Sequence, residues 1–353
     1  MKVLVHYGYV LAKPAILSVV SWIILCSCSC GGHLGSVPDF DEYSRYDLPQ
    51  SKDGPRGSEI NVTFLGTSTL LFDDGETQIL VDAFVTRPGV LAVAFGRLQS
   101  DNALIEHIVR RKGINRLKAV FITHSHYDHA LDAVAIIKAV EAIGSASTEP
   151  VILWGSESTR QIGLGGGMAE DHVQIFRPGV RIPVGHFEVT ALPSKHSPPT
   201  FLFNDIGTVV EEPLSQPARF CEYSEGGTYD ILIRHGKRSI LVKPGANYVE
   251  DFLDGVEADI LFLGIGRLGK QSAEFREAFY RHTVQAVEPK LVVPIHWDNF
   301  FKRLSGNLPP ASRVSDSVPV ALDFLRRSLE GDGIRLGMVR GLQTTALFGD
   351  DVP

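Results

Sequence analysis

The sequence predicts an α/β fold in which two β-sheets form a sandwich with helices on the outside. Its 353 residues are 44% hydrophobic and 21% charged, which are ordinary globular values and allow a large core. Short β-rich runs dominate both halves of the chain, and each half ends in alternating strands and helices. Length alone would favour about two domains. The similar order of elements in the two halves instead predicts one domain over residues 59–348.

The first half begins with three β-rich runs between residues 60 and 84, and the turn at Asp73-Asp74-Gly75 is typical of a hairpin. Apolar periodicity then predicts a helix over 101–113 that Asp101 caps and Gly113 ends. The next predicted elements are a buried strand over 117–123, a helix over 130–143 and a strand over 151–155.

The second half contains a strand over 186–194 and a hairpin over 228–242 that turns at His235-Gly236. Between them, residues 197–227 are rich in Pro and Gly and predict a long loop. The remaining predicted elements are strands over 258–266, 290–295 and around 334–347, and helices over 271–287 and 320–329.

The glycine-rich run GLGGG at 163–167 lacks the spacing of a phosphate-binding loop. We interpret it as a flexible lid or pocket loop. Just before it, residues 154–158 end a strand and either line the pocket or form an ordinary turn in which Ser156 caps a helix.

The first 30 residues are predicted to be a leader peptide and not part of the fold. An apolar run at 14–26 follows Lys2 and Lys13 and contains no acidic residue. It is typical of a signal peptide and short for a membrane span. The alternative is an uncleaved anchor helix. Residues 31–58 are rich in Gly, Pro, Ser and Asp and predict a flexible tether.

The end of the leader, Leu25-Cys26-Ser27-Cys28, resembles the lipobox of bacterial lipoproteins. Cys28 fits best because Leu25 lies three positions before it, and Cys30 is the weaker alternative. We therefore expect lipid on Cys28 and a protein anchored to the membrane of the bacterial cell envelope, facing the periplasm or on the outer surface. The body of the chain contains only Cys221, so a disulfide framework is not expected.

Composition excludes several classes of protein. The net charge is −7 and no run of Lys or Arg forms a basic stripe, so nucleic-acid binding is not expected. Collagen, coiled coils and polytopic membrane proteins are excluded by the globular composition.

A dense group of potential metal ligands follows the apolar strand AVFIT, as the run H-x-H-x-D-H at 124–129. Residues two apart in an extended segment point the same way, so His124 and His126 face one point. Asp128 and His129 begin the next helix and face a neighbouring point. Imidazoles with a carboxylate are ligands that zinc and related divalent ions prefer. The pattern therefore predicts a pair of metal sites.

Two further histidines, His196 and His296, also follow apolar strands. Strand ends are places where a rigid scaffold holds functional groups, so we assign both to the same centre. The remaining histidines lack this context and are interpreted as ordinary; they include His107, His172, His186, His235 and His282.

The run THSHYDH, the opening VTFLGTSTLLFDDGETQILVDAF, His196 and PIHWDNF together resemble the metallo-β-lactamase superfamily. The resemblance is to the branch with ascorbate-6-phosphate lactonase-like enzymes and the N-acyl-phosphatidylethanolamine-hydrolysing phospholipase D, and covers about Ile60 to Leu347. It implies an αββα sandwich, the metallo-β-lactamase fold, with the metal centre at one edge. It further implies that Asp82 supports the histidine loop without binding metal. The implied ligand sets are His124, His126 and His196 for one ion and Asp128, His129 and His296 for the other.

The sequence departs from this family at one position. Members normally carry a bridging aspartate in the turn after the strand that here reads SILV, and Gly245 stands at its place. Without that negative charge the two cations repel each other more strongly. We expect the site of Asp128, His129 and His296 to bind more weakly, unless Asp298 or Asn247 replaces the missing ligand.

These observations predict a metal-dependent hydrolase with one or two zinc ions per chain, manganese or iron being alternatives. Metal-activated water would attack an ester, lactone, amide or phosphodiester bond of a small-molecule or lipid-like substrate. Asp128 would accept a proton, and His296 or Tyr127 would steady the leaving group. β-Lactam hydrolysis is not expected. The alternative, favoured by Gly245, is a catalytically impaired metal-binding envelope lipoprotein that acts as a binding module.

Overall fold

The computed structural model describes residues 41–51, 59–144, 149–199 and 204–348. The predicted leader, with Cys28 and Cys30, lies outside the described residues. Among the helices of the described part, none is long and apolar enough to cross a membrane.

Two seven-stranded sheets form the centre of the described chain. The strands are β1 (Ile60–Phe64), β2 (Leu70–Asp73), β3 (Gln78–Val81), β4 (Leu117–Phe121), β5 (Ile152–Gly155), β6 (Val173–Ile175), β7 (Arg181–Val184), β8 (Phe187–Ser194), β9 (Thr228–His235), β10 (Arg238–Lys243), β11 (Ile260–Gly264), β12 (Leu291–Ile295), β13 (Arg335–Leu336) and β14 (Thr344–Leu347). The first sheet has the order β14-β1-β2-β3-β4-β5-β6, and the second has the order β13-β12-β11-β10-β9-β8-β7. Each sheet combines antiparallel hairpins with parallel strands.

Helices cover the outer faces of the sheets. They are α1 (Val90–Phe95), α2 (Asn102–Arg111), α3 (Tyr127–Ala130), α4 (Ala133–Ala142), α5 (Glu157–Gly165), α6 (Ala273–Tyr280) and α7 (Val318–Asp332), and a π-helical turn (Arg281–Gln285) extends α6. Strand β2 shows why both faces of the first sheet are buried: Leu70 and Phe72 belong to the core between the sheets, whereas Leu71 packs in the core beneath the helices. The predicted α/β sandwich with two central sheets and outer helices is confirmed.

Local signals predicted most element boundaries. The side chain of Asp101 accepts a hydrogen bond from the Leu104 amide at 3.0 Å and caps α2, as predicted. Ser156 caps α5 through a capping box. That helix corrects the interpretation of GLGGG, because Gly163 and Gly165 belong to α5. A Cβ on Gly163 would lie 2.8 Å from Val173, so this glycine allows α5 to approach β6.

Two predictions need correction. The single strand expected around 334–347 is two strands in different sheets, since β13 pairs with β12 and β14 pairs with β1. The tether expected over 31–58 is wrong for residues 41–51. Tyr43 is 2% exposed and Leu48 is 2% exposed, and the Leu48 amide donates to the Met338 carbonyl at 2.8 Å. Their apolar side chains supply packing that a composition-based prediction of a tether overlooks.

Candidate metal centre

Three histidines from two sheets meet at one edge of the sandwich. His124 follows β4, His126 precedes α3 and His196 follows β8. Their ring centroids are 4.9 Å (His124 to His126), 4.8 Å (His124 to His196) and 4.7 Å (His126 to His196) apart. One nitrogen of each ring lies within 4.8 Å of a nitrogen of the others. The structure thus brings together the three residues that the sequence assigned to one ion.

Hydrogen bonds hold two of these rings so that Nε2 faces the centre. Nδ1 of His196 donates to the Ser197 carbonyl at 2.9 Å, and Nδ1 of His124 lies 3.4 Å from the Thr123 hydroxyl. The Ser197 carbonyl can only accept, and the Thr123 hydroxyl already donates to Asp82 at 2.9 Å, so both contacts assign the proton to Nδ1 and leave Nε2 unprotonated. Nε2 of His124 is buried and has no hydrogen-bond partner among the residues that the structure describes.

The third ring, His126, is held by a carboxylate that sequence reasoning missed. Its Nε2 lies 3.0 and 2.9 Å from the two oxygens of Asp205. The contact assigns the proton to Nε2 and turns Nδ1 toward the centre. Asp205 in turn accepts a hydrogen bond from the Glu225 amide at 3.3 Å. A carboxylate behind a histidine is the usual way in which metal ligands are oriented.

Burial keeps two of the histidines neutral. It is the main cause that lowers the pKa of His124 well below its ordinary value, and the neighbouring histidines add to the effect. Burial, with His126 and His129 nearby, lowers the pKa of His196 to about 4. A neutral imidazole is the form that binds metal, so these two residues are prepared as ligands near neutral pH.

A second cluster adjoins the first and contains Asp128, His129 and His296. Oδ2 of Asp128 lies 3.7 Å from Nε2 of His129 and 3.5 Å from Nε2 of His296. Burial acts to raise the pKa of Asp128, but the charge of His129 and the hydrogen bond from His296 outweigh it and hold the pKa well below its usual range. The ring centroids of His124 and His129 are only 3.8 Å apart, so the two clusters are in direct contact.

Asp82 lies behind the histidine loop, in the position of a supporting residue. It accepts hydrogen bonds from the Thr123 amide at 2.8 Å and from Nδ1 of His129 at 2.7 Å. The Ser68 hydroxyl also donates to it. Asp82 therefore fixes the start of the loop and turns Nε2 of His129 toward the second cluster.

The backbone of His296 is held in a left-handed conformation, with φ of 58°. Its amide donates to the Thr67 carbonyl at 2.6 Å, and the Thr67 amide donates to Asp298 at 2.9 Å. Asp298 also forms a fully buried ion pair with Arg87. A side chain on Gly266 would lie 2.9 Å from Nδ1 of His296, so glycine makes room for the ring. This network compensates for a conformation that is costly for a non-glycine residue.

The structure does not support either residue proposed to replace the missing bridge. Both oxygens of Asp298 are engaged, by Arg87 and by the Thr67 amide. The Asn247 side chain donates to the His196 carbonyl at 2.7 Å and accepts from the Tyr248 amide at 2.9 Å. A Cβ on Gly245 would lie 3.3 Å from the Ser197 amide, beside the first cluster. Among the described residues, both groups of potential ligands therefore lack a shared carboxylate.

Sequence reasoning missed three supporting residues, Asp205, Glu225 and Arg87. The first two lie in the long loop after His196, where neither periodicity nor spacing marks a residue. Arg87 lies in a segment without regular structure and is 3% exposed. A charged residue of this kind is usually exposed, so only its contact with Asp298 reveals its role.

The Asp205→Asn variant tests whether the carboxylate orients His126. The amide keeps the size of the side chain but removes the charge that favours the Nε2 proton. We expect zinc affinity to fall about 10- to 100-fold, measured by competition with a chromogenic chelator. Asp171→Asn, at an exposed position, is the matched control and should leave affinity unchanged. Equal affinity in the Asp205 variant and the control would show that the ring is held by packing alone.

The two clusters open into a cavity of about 400 Å³. His126, His196, Asp128 and His296 lie in its floor. Aromatic and aliphatic side chains form much of the wall: Val93, Tyr127, Phe220, Phe300, Phe301 and Ala311. Arg267 and Asp316 lie at the same wall, and Asp316 accepts a hydrogen bond from the Arg267 amide at 2.6 Å. A small molecule with an apolar part can therefore reach both clusters.

Comparisons with known proteins agree with this arrangement. A UPF0173 metal-dependent hydrolase of Thermus thermophilus is 32% identical over 79 residues, which are 22% of this chain and 28% of that relative. One from Heliobacterium modesticaldum is 22% identical over 248 residues, covering 68% of this chain and 84% of the relative. The solved structure of a metallo hydrolase from Ignicoccus hospitalis superposes with a TM-score of 0.50 at 15% identity, covering 83% of this chain and 100% of that one. This last likeness shows the fold alone.

A family model described as "Beta-lactamase superfamily domain" matches residues 77–297. The matched range includes every residue of both ligand clusters, from His124 to His296. It also takes in more than half of the chain. The protein therefore belongs to the metallo-β-lactamase superfamily.

Proposed function

We propose that this protein is a metal-dependent hydrolase that cleaves an ester, lactone, amide or phosphodiester bond in a substrate with an apolar part. One observation carries the proposal: two adjoining clusters of nitrogen and carboxylate ligands form the floor of a cavity whose wall is largely apolar. The names of the relatives, which describe metal-dependent hydrolases, support the same conclusion.

The residues present fit a divalent transition metal. A buried nitrogen without a hydrogen-bond partner, such as Nε2 of His124, is costly unless something binds it. Asp205 holds Nε2 of His126 and the Ser197 carbonyl holds Nδ1 of His196, so the orientation of both rings at the cluster is fixed. Three imidazoles are a donor set that zinc prefers, and manganese and iron accept similar donors. We therefore propose zinc as the resident ion, with manganese and iron as alternatives.

A bound metal supplies Lewis acidity, which makes water nucleophilic near neutral pH and polarises a carbonyl or phosphoryl group. The residues of the chain supply the rest. Asp128 lies 3.7 Å from Nε2 of His129 and 3.5 Å from Nε2 of His296, and we assign it the role of accepting a proton from an attacking water. Burial raises the pKa of Tyr127 well above its ordinary value. Tyr127 therefore stays protonated at the cavity wall and can donate to the leaving group, as can the adjacent His296.

The apolar wall determines which part of a substrate the cavity recognises. Phe300 packs against Phe301 with ring centroids 4.6 Å apart and against His296 at 5.8 Å, so an apolar surface begins at the metal ligands. Val93 also lines the cavity and belongs to α1, whose Leu91 and Phe95 are exposed. We propose that an acyl or aryl group lies along this wall while the scissile bond lies over the clusters.

The test uses the zinc-loaded full chain and measures its hydrolysis of p-nitrophenyl esters with acyl chains of two to eight carbons. Bis-p-nitrophenyl phosphate is assayed alongside them. Each buried methylene contributes about 0.8 kcal/mol, so kcat/KM should rise about threefold to fourfold per carbon until the wall is filled. Phe300→Ala should flatten this dependence, whereas Val320→Ala, at an exposed position on α7, should not. Chain-length dependence that is identical in all three proteins would contradict the assigned wall.

A second candidate function rests on Gly245. Without a carboxylate at this position, the protein would be a metal-binding module with impaired catalysis. A fully zinc-loaded chain that turns over none of the esters or the phosphodiester would favour this alternative.

We further propose that the protein is anchored in the bacterial cell envelope through lipid on Cys28. The support is the lipobox-like tetrad that follows an apolar run without acidic residues. Mass spectrometry of the mature N-terminus from cells would detect the acylated cysteine.

A further inference from the structure

Three hairpin turns meet at the end of the sandwich opposite the metal centre. Asp74 lies between β2 and β3, His186 between β7 and β8, and His235 at the end of β9. Oδ2 of Asp74 is 3.3 Å from Nδ1 of His186 and 3.1 Å from Nε2 of His235. No spacing or periodicity connects these residues in the sequence, which is why both histidines are interpreted as ordinary from the sequence alone. The structure joins them into a third group of potential ligands.

This group is far from the catalytic clusters. Strand β8 starts directly after His186 and ends two residues before His196. Eight strand residues at about 3.4 Å each place the two histidines roughly 25–30 Å apart. A ligand at the hairpin turns therefore has no contact with a substrate in the cavity.

The carboxylate of Asp74 is fixed by its own turn. Oδ1 accepts hydrogen bonds from the amides of Glu76 at 2.9 Å and Thr77 at 2.6 Å, which leaves Oδ2 directed at the histidines. The side chain of Asp74 is 1% exposed. Burial acts to raise its pKa, but the hydrogen bonds from Thr77 and Glu76 outweigh burial and lower it, so the group is anionic.

The two histidines are arranged as oriented ligands. The His235 ring packs against Phe187, with centroids 5.0 Å apart, and presents Nε2 to Asp74. His186 presents Nδ1 to Asp74, and its Nε2 lies 3.8 Å from Glu76. The His186 side chain is 60% exposed, so an ion and water can reach the group from solvent.

We propose that Asp74, His186 and His235 form a separate, structural site for a divalent transition metal, with zinc as the best match. Ligands about 2.0–2.1 Å from a tetrahedral zinc lie about 3.3 Å from one another, close to the 3.1 and 3.3 Å observed. Two histidines and one carboxylate leave a fourth position for water.

A bound ion would cross-link the two sheets. Asp74 belongs to a hairpin of the first sheet, and both histidines belong to hairpins of the second. The turns already touch, since a Cβ on Gly185 would lie 2.1 Å from the Thr77 hydroxyl. A ligand that binds only the folded protein stabilises it, so the predicted effect is on stability and not on the catalytic clusters.

The test compares the full chain with His186→Ala, which changes a side chain that is largely exposed. We expect the variant to bind one zinc fewer per chain after equilibrium dialysis. Zinc should also raise its Tm by about 3–6 °C less than it raises that of the wild type. The Tm values of the two chelator-treated proteins should agree. His107→Ala, at an exposed position on α2, is the matched control and should keep the full zinc content and the full Tm increase.

Asp74→Asn provides a second variant, because the amide oxygen can still accept the two turn hydrogen bonds. It should also lose one zinc per chain. If His186→Ala binds as much zinc as the wild type and shows the same zinc-dependent increase in Tm, the proposal is overturned. The same conclusion follows if the variant lowers the Tm of the chelator-treated protein without changing zinc content, since the three residues would then form only a hydrogen-bonded cluster.

Discussion

The His126→Ala variant should lose zinc from the three-histidine cluster and nearly all hydrolytic activity while keeping its fold. The variant removes one of three ligands, so the loss of affinity should exceed the 10- to 100-fold expected when only a supporting residue is lost. Metal contributes several kcal/mol to such reactions, and each 1.4 kcal/mol corresponds to a factor of ten. We therefore expect kcat/KM to fall about 1000-fold, measured with the best ester or phosphodiester.

The fold should survive because His126 lies at the edge of the sandwich and contributes little to either core. Far-ultraviolet circular dichroism and Tm of the chelator-treated proteins check this point. His172→Ala, a partly exposed histidine outside all three ligand groups, should retain both zinc and activity. Wild-type zinc affinity in the His126 variant would refute the ligand assignment.

The Arg87→Met variant should lower the free energy of unfolding by about 3–5 kcal/mol, because it leaves the carboxylate of Asp298 buried without its partner. Both side chains of this ion pair are 0% exposed. Denaturant titration of the chelator-treated protein measures the loss without a contribution from metal. Since Asp298 also holds the Thr67 turn that positions His296, zinc should bind the second cluster more weakly as well.

Two matched variants separate burial from charge. Arg116→Met breaks the pair with Asp73, whose side chains are 30% and 17% exposed, and a pair in contact with solvent should contribute only about 0–1 kcal/mol. The double variant Arg87→Met with Asp298→Asn removes both buried charges, and the amide oxygen can still accept from the Thr67 amide, so it should recover most of the lost stability. A loss below about 1 kcal/mol in the single variant would show that water or another donor neutralises Asp298.

The sequence predicted the fold class and singled out the histidines that the structure brings together because these signals are local, whereas the division of the ligands into two sets is what the family resemblance implied. A histidine that follows an apolar strand marks a sheet edge wherever it occurs, and His124, His196 and His296 each do so. The cap of α2 at Asp101 is equally local. Such patterns depend on a few neighbouring residues, which a single sequence displays in full.

The contacts that were missed join residues distant in the chain. Asp205 meets His126 across 79 positions, Arg87 meets Asp298 across 211, and His235 meets Asp74 across 161. No periodicity connects such pairs. The same limit explains the error at 334–347, where one β-rich run supplies strands to two sheets: β13 and β14 are each defined by a partner strand and not by their own residues.

The pairing of β1 with β14 has a consequence for biosynthesis. Ile60 lies opposite Leu347, so the first sheet receives this edge strand only after residue 347 has been made. The ligands of the two clusters are also synthesised at different times. All three histidines of the first cluster have been made at residue 196, whereas the second cluster is complete only at residue 296. A nascent chain can thus present one complete set of ligands about a hundred residues before the other. The full set of potential ligands is therefore complete only once residue 296 has been made.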